Sequence, residues 1–430
     1  MRLTLVGIVV CGLLRTVPAL AQEHTTLNFE QAIEAALAND HWQQGNESKR
    51  MAMLANSEAV AALPNPVMSV GLANLASDSF AFNQEPMTQL KVGITQKFAR
   101  GDSLTLSKQQ LIEQSRQFPM LGLERQAKLT VAVGQTWLRA YQAKQTMALI
   151  SKDRPLFEQL IDLAQRSYQV GQGRTMQSDL ISAQVELTAL DDRLASLETQ
   201  ARQYRQQLNQ WLPTSLANAL IDAPSPKINL LTPPQSNTQA AWASLLANHP
   251  SLMALNAKQT ALKTGIELAE QGDEIQWGVN TSYGWRSNSP NGSSRSDLFS
   301  VGVSFDLPIF NHHKTRQQVA AAKANAKVLT TDKLLLIQQM RANAMALQST
   351  LAVLVKRHTL YQDKLLPQTI EQSQAALTAY GNDKGDFSRV VLARVGELNR
   401  RIEHLNISVE MNITKLKLNY YLAQARGSYE

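Results

Sequence analysis

The side chains best suited to catalysis or to metal binding are scattered along this chain of 430 residues. Its seven histidines stand at positions 24, 41, 249, 312, 313, 358 and 404. No His-Glu-x-x-His and no Gly-x-Ser-x-Gly sequence is present, so the patterns of a zinc protease and of a serine hydrolase are both missing. The sequence therefore predicts no enzyme, no catalytic residue, no cofactor and no metal site.

Two histidine positions have a structural interpretation instead. His312 and His313 stand where a predicted strand passes into a helix, and we interpret them as an exposed pair rather than metal ligands. His358 lies in the apolar seam of a predicted helix, which is typical of a histidine at a helix interface.

The first residues have the pattern of an export signal. Arg2 precedes an apolar run that ends at Leu14, and Ala19-Leu20-Ala21 supplies the small residues that precede a cleavage site. We expect a signal peptide of residues 1–21 and a mature chain that begins near Gln22.

Composition narrows the class of protein further. The only cysteine, Cys11, lies inside the predicted signal behind Val10, where a lipoprotein signal has a small residue, so neither lipidation nor a disulfide is predicted. Hydrophobic residues form 44% of the chain, yet beyond the signal no apolar run reaches the ~18 residues of a transmembrane helix. The net charge of +7 is spread without a basic block, which disfavours nucleic-acid binding.

The two halves of the chain repeat each other. Ala36–Asp40 recurs as Leu245–His249, and Val92–Thr95 recurs as Val301–Ser304, each 209 positions further on. A constant offset over such a distance indicates a duplicated structural unit. The mature chain is predicted to consist of a first repeat, a Pro-rich connector and a second repeat: 22–212, 213–239 and 240–430.

Four segments alternate with a period of two and are predicted to be strands. One face of each carries large apolar side chains, and the other carries small or polar ones. The aromatic members of the apolar face, which would face lipid, are Trp277, Tyr283, Trp285, Phe299 and Phe305. The predicted strands cover about 66–76, 88–99, 275–287 and 297–309. At roughly 10 to 13 residues each, they are long enough to cross a bilayer at a tilt.

Four strands cannot close a barrel alone. In hydrocarbon, two edge strands would leave backbone donors and acceptors unpaired at several kcal/mol each, so closure has to come from other subunits. A soluble sandwich, in which a second sheet covers the apolar face, is the alternative. Because the remaining sequence shows no obvious sheet-covering pattern, we prefer an oligomeric membrane barrel.

Long helices are predicted for most of the remaining chain, over about 103–168, 175–212, 312–379 and 387–425. At ~1.5 Å per residue, the longest would reach on the order of 100 Å. Pro119, Pro155 and Pro367 should kink or interrupt these helices, so the lengths are upper limits. Three apolar seams with alternating steps of three and four are typical of coiled coils: Leu180–Trp211, Met340–Leu365 and Val395–Ala423. Asn412 and Asn419 in the last seam indicate register control or a wet lumen.

The order of these elements resembles a known family. The chain first has a helix with an Ala-Leu-x-Asn end, a strand hairpin and a long helix, then a Tyr-x-x-Gly turn, a returning heptad helix and a Pro-rich connector, and then the unit again. In this order of elements it resembles the TolC family of outer-membrane efflux channels. The resemblance covers nearly all of the mature chain. It implies a mainly α-helical homotrimer whose three sets of four strands close a 12-stranded outer-membrane barrel, continued by a 12-helix periplasmic α-barrel.

The resemblance also implies partners and a mechanism. The protein would be the exit duct of a tripartite efflux system and would receive solute from an inner-membrane transporter and a periplasmic adaptor, which supply the energy. Leu63–Pro66, Glu85–Thr88 and Gly93–Gln96 are similar to segments of heavy-metal resistance channels, which implies cation cargo.

The two Gly-containing turns, Tyr168–Gly173 and Tyr380–Gly385, would form the periplasmic tip. The resemblance implies adaptor contacts at Val170, Gly171, Gly381 and Gly385. It implies gating residues at Asp179, Tyr380, Asp383 and Asp386. The second-repeat equivalent of Asp179 is Val390, so Asp383 or Asp386 would replace that carboxylate. Capping of a helix N-terminus is the alternative role of these acids.

Two other classes of protein share parts of this pattern. An exit duct for type I protein secretion would have the same fold but would pass polypeptides. A periplasmic coiled-coil adaptor would share the signal and the long helices, but it would lack paired strands with an aromatic face.

Overall fold

The computed structural model of this chain describes residues 26–169, 176–217, 224–234, 238–382 and 384–424. The predicted signal peptide and Cys11 lie outside the described residues, as do the predicted tip residues Val170, Gly171 and Asp383.

Helices form most of the described chain. They are α1 Phe29–Ala38, α2 His41–Val60, α3 Ser103–Ser115, α4 Gln117–Gln169, α5 Gln177–Leu208, α6 Thr214–Ala217, α7 Gln239–Leu246, α8 Pro250–Glu270, α9 His312–Leu360, α10 Leu366–Gly381 and α11 Phe387–Leu422. The side chains of Asn28, Asp40, Thr238 and His249 each accept a hydrogen bond from a backbone amide of the helix that follows. These caps explain where α1, α2, α7 and α8 begin.

Four strands complete the fold: β1 Val67–Ala73, β2 Gln89–Arg100, β3 Gln276–Trp285 and β4 Leu298–Phe305. The starts of α2, β1, β2 and α3 lie 209 positions before the starts of α8, β3, β4 and α9. The predicted duplication is therefore confirmed at the level of the elements themselves.

The strands form one antiparallel sheet in the order β1-β2-β3-β4. β1 and β4 have 7 and 8 residues, fewer than the sequence predicted. β1 ends at Ala73, because the next residue, Asn74, has a φ of 55° that takes the chain out of the extended region. β4 ends before Asp306, whose carboxylate accepts a hydrogen bond from the Gln276 amide at 2.8 Å. The pairing of β2 with β3 joins the two repeats through the centre of the sheet.

Prolines shape the long helices in two of three places. The long helix predicted over 103–168 is divided at Arg116, three residues before Pro119, into α3 and α4. The long helix predicted over 312–379 passes through a π-helical turn at Tyr361–Leu365, just before Pro367. A proline ring clashes with the carbonyl four residues earlier, which a break or a wider turn relieves. At Pro155, where a kink or an interruption was predicted, the α-helix α4 is not interrupted.

The residues that cap α2 and α8, Asp40 and His249, stand at equivalent positions of the two repeats, and each also contacts a long helix. Arg125 on α4 donates two hydrogen bonds to the Asp40 carboxylate, at 2.9 and 3.0 Å, and thereby lowers the pKa of that carboxyl. At the matching position of the second repeat, His249 Nε2 lies 2.9 Å from the carbonyl oxygen of Tyr420 on α11. Burial lowers the pKa of His249, so this histidine is neutral at pH 7.

The seam asparagines have a role that the sequence did not predict. Asn419 accepts a hydrogen bond from the Leu231 amide and donates one to the Asn229 carbonyl, both at 2.8 Å. Asn412 donates to the Pro226 carbonyl at 3.2 Å. These side chains hold residues 224–234 of the connector against α11.

Replacement of Asn419 should release the connector. Asn419→Ala removes two hydrogen bonds, a loss of about 1–3 kcal/mol, so we expect roughly tenfold faster tryptic cleavage after Lys227, measured by mass spectrometry. Asn406→Ala is the matched control, because Asn406 lies on the same helix and bonds to Gln142 on α4 instead. Equal cleavage in both variants would contradict the assigned role.

Candidate functional site

One face of the sheet is a continuous apolar surface, which we call the apolar face. Cross-strand partners place Val70 opposite Val92, Val92 opposite Tyr283, and Tyr283 opposite Phe299. The side chains remain open to solvent in the single chain, with Phe299 71% exposed. The predicted aromatic residues Trp277, Tyr283, Trp285, Phe299 and Phe305 all lie on this face. So large an exposed apolar surface indicates contact with lipid or with another protein.

The opposite face, which we call the polar face, carries small and hydrophilic side chains. Ser69, Gly93, Ser282 and Ser300 form one row across all four strands. Glycines leave little room for larger residues here, because a Cβ at Gly278 would come within 2.7 Å of Ser304 Oγ. The pleat of the strands therefore separates two environments, as the sequence predicted.

A polar junction connects the sheet to the helices. Arg100, the last residue of β2, donates a hydrogen bond to the Glu274 carbonyl at 2.7 Å and forms an ion pair with Asp306. Asp306 also binds the backbone of Gln276 at the start of β3. Both hairpins are thus fixed to each other where they enter the helices.

The helical tip lies at the opposite end of the long helices. Here an apolar cluster joins α4, α5 and α11, and Phe387 is its fully buried centre. Tyr380 of α10 packs against it with ring centroids 5.7 Å apart. A groove of about 740 Å³ runs between α10 and α11 beside Asp386 and Arg389. The two helical hairpins therefore end side by side, as a common tip requires.

Two of the predicted gating acids, Asp179 and Asp386, occupy helix N-termini in this structure. The Asp179 carboxylate accepts a hydrogen bond from the Met176 amide at 3.1 Å and so caps α5. Asp386 precedes α11 and lies 3.6 Å from Arg389. Val390 is fully buried in the tip cluster, which explains why no carboxylate stands at that position.

A buried charged cluster between α4 and α11 was missed by the sequence reasoning. Glu397 is only 2% exposed and is held by Arg394 at 3.0 Å and by Arg401. Arg401 also lies 3.6 Å from Asp153 on α4, whose pKa is raised by burial despite that guanidinium. The spacing of Glu397 from Arg394 and Arg401 was visible in the sequence, but their burial was not.

The histidines behave largely as predicted. His358 lies at the α9–α11 interface, where its ring centroid is 4.7 Å from that of His404. Burial and this neighbour lower the pKa of His404. His312 is exposed and lies 3.2 Å from Asp273. Within the described residues, no group of three or more His, Cys, Asp or Glu side chains is arranged to hold a metal ion.

Comparison with known proteins identifies this architecture. No protein-family model and no curated protein sequence matches the chain. Solved structures do match. The transmembrane channel protein CusC is 13% identical over 92% of both chains, with a TM-score of 0.75. The CmeC outer-membrane channel of Campylobacter jejuni is 11% identical, with a TM-score of 0.73, over 99% of this chain and 95% of that one.

The open-state MtrE outer-membrane channel of Neisseria gonorrhoeae is 12% identical over 92% of this chain and 88% of that one, with a TM-score of 0.68. This chain therefore has the fold of the TolC-type outer-membrane channels. The fold class predicted from the sequence, with its long helices and four strands per subunit, is confirmed. Among the described residues, no helix is both long and apolar enough to span a membrane.

Two glycines of the tip should respond differently to substitution. A Cβ at Gly385 would lie 3.1 Å from the Tyr380 nitrogen, whereas a Cβ at Gly381 meets nothing within 4 Å. Gly385→Ala should weaken the turn closed by the Lys384 amide and the Ala379 carbonyl by about 1–3 kcal/mol. We expect roughly tenfold faster hydrogen exchange at Lys384, with Gly381→Ala as the neutral control. Equal exchange rates in both variants would show that this packing does not stabilise the turn.

Proposed function

We propose that the protein is a passive channel of the outer membrane of a Gram-negative cell, formed by three copies of the chain. The observation that carries the proposal is the four-stranded sheet, which has an exposed apolar face and two unpaired edges, β1 and β4. Three sheets joined edge to edge would pair every strand and place the apolar face against lipid. The long helices would continue the passage through the periplasm.

In this arrangement the channel is the exit duct of a tripartite efflux system. An inner-membrane transporter and a periplasmic adaptor would deliver solute at the helical tip, and the channel itself performs no chemical step. The groove beside Asp386, together with Gly381 and Gly385, is the proposed surface for the adaptor. Heavy-metal cargo, which the sequence resemblance implied, would pass without a binding site among the described residues.

Charge placed on the two faces of β4 tests the membrane assignment. Val301→Arg puts a charge on the apolar face, at a cost of about 2–4 kcal/mol near the bilayer centre, and should strongly reduce the trimer recovered from outer membranes. Ser300→Arg, one residue away on the polar face, is the matched control and should assemble normally. A native protein that fractionates as a soluble monomer would contradict the proposal.

A gating role for Asp179 predicts a change in conductance. Asp179→Ala removes the carboxylate from the tip and should raise single-channel conductance in planar bilayers by roughly twofold or more, as should Tyr380→Phe. Asp179→Asn separates the two roles of this residue, because the amide oxygen still accepts from the Met176 amide without charge. If only the charge matters, both Asp179 variants open the tip, whereas an unchanged conductance in Asp179→Ala would refute the gating assignment.

A further inference from the structure

The four strands carry an unbalanced charge. None of their residues is Asp or Glu, whereas β2 contains Lys91, Lys97 and Arg100. Arg100 is neutralised by its ion pair with Asp306 at the junction. Lys91 and Lys97 are exposed and form no ion pair with any residue that the structure describes. Two uncompensated positive charges therefore remain on the sheet of each chain.

Both lysines belong to the polar face. Lys91 stands between Gly71 on β1 and Gly284 on β3 in the cross-strand register, and Lys97 stands opposite Gly278. These neighbours have no side chains that could screen or bind an ammonium group. The two lysines are six positions apart, which corresponds to about 20 Å along the strand, so the charges occupy two separate levels of the sheet.

Two of the three acidic residues in the two hairpin loops have other partners. Asp78, in the loop between β1 and β2, accepts hydrogen bonds from Gln84, and Asp297, before β4, accepts one from the Tyr283 hydroxyl on the apolar face. The remaining acid of these two loops is Glu85, which follows β1 by twelve residues and precedes β2 by four. The strands themselves contain no Asp or Glu, and Asp306 at the end of the polar face is paired with Arg100, so neither offsets the two lysines.

From this arrangement we infer that the barrel lumen prefers anions over cations, and the inference rests on the proposed trimeric channel. Three chains would line the lumen with two rings of three lysines, and rings of charged side chains set the ion selectivity of pores. A low-dielectric barrel wall concentrates their field in the water-filled passage. Anionic and neutral solutes are therefore the favoured cargo. Metal would leave as an anionic or neutral complex more readily than as a free hydrated cation.

The experiment is a measurement of reversal potential for the full trimer in planar bilayers. A KCl gradient with its dilute side near 0.1 M keeps the Debye length at about 10 Å, so the lysine field is not fully screened. We expect the native channel to pass chloride over potassium by roughly twofold or more. Lys91→Gln with Lys97→Gln should abolish this preference, and Lys91→Glu with Lys97→Glu should reverse it.

Two controls keep the result specific to the barrel. Lys91→Arg with Lys97→Arg conserves the charge and should retain the anion preference. Lys227→Gln removes a lysine from the connector, away from the sheet, and should change nothing. Cation preference in the native channel, or an anion preference that survives the Gln variants, would overturn the inference. Absence of any conductance in both the native protein and the Asp179→Ala variant would instead overturn the proposed channel.

Discussion

Backbone hydrogen bonding in hydrocarbon is the constraint on which the rest of the structure depends. A sheet of four short strands with an exposed apolar face cannot stand alone in a membrane, because β1 and β4 each leave one edge unpaired. Closure by identical chains removes both edges with no additional element. The apolar belt, the polar interior and the three-fold assembly are then consequences of a single requirement.

The helices extend this assembly and are adapted to it. The second hairpin passes directly into the 49-residue helix α9, and the first reaches the 53-residue helix α4 through the short helix α3. The junction around Arg100 and Asp306 fixes the hairpins to one another. Toward the tip, apolar packing around Phe387 and the contact of Arg401 with Asp153 hold α4 and α11 together. Glu397 pairs with Arg394 and Arg401 on its own helix, so these charges belong to α11 and move with it.

Much of the fold could be predicted from the sequence because it rests on local periodicity. The alternation of apolar and polar residues predicted that Tyr283 and Phe299 lie on the apolar face. The constant offset between the two repeats predicted the order of the helices and strands. Contacts between distant segments could not be predicted in the same way. Asn419 bonds to a connector nearly 190 positions away, and only packing shows that Val390 is buried where the other repeat has an acid. The gating and adaptor residues remain predictions, since the single chain does not present their partners.

Closure of the sheet by three chains can be seen by electron microscopy of the protein extracted in detergent from the membrane fraction. We expect a hollow cylinder with three-fold symmetry and a helical portion on the order of 100 Å long, given the rise of an α-helix. A monomer, or a compact particle without a central passage, would contradict three-fold closure, because the edges of the sheet would then have to be paired in another way.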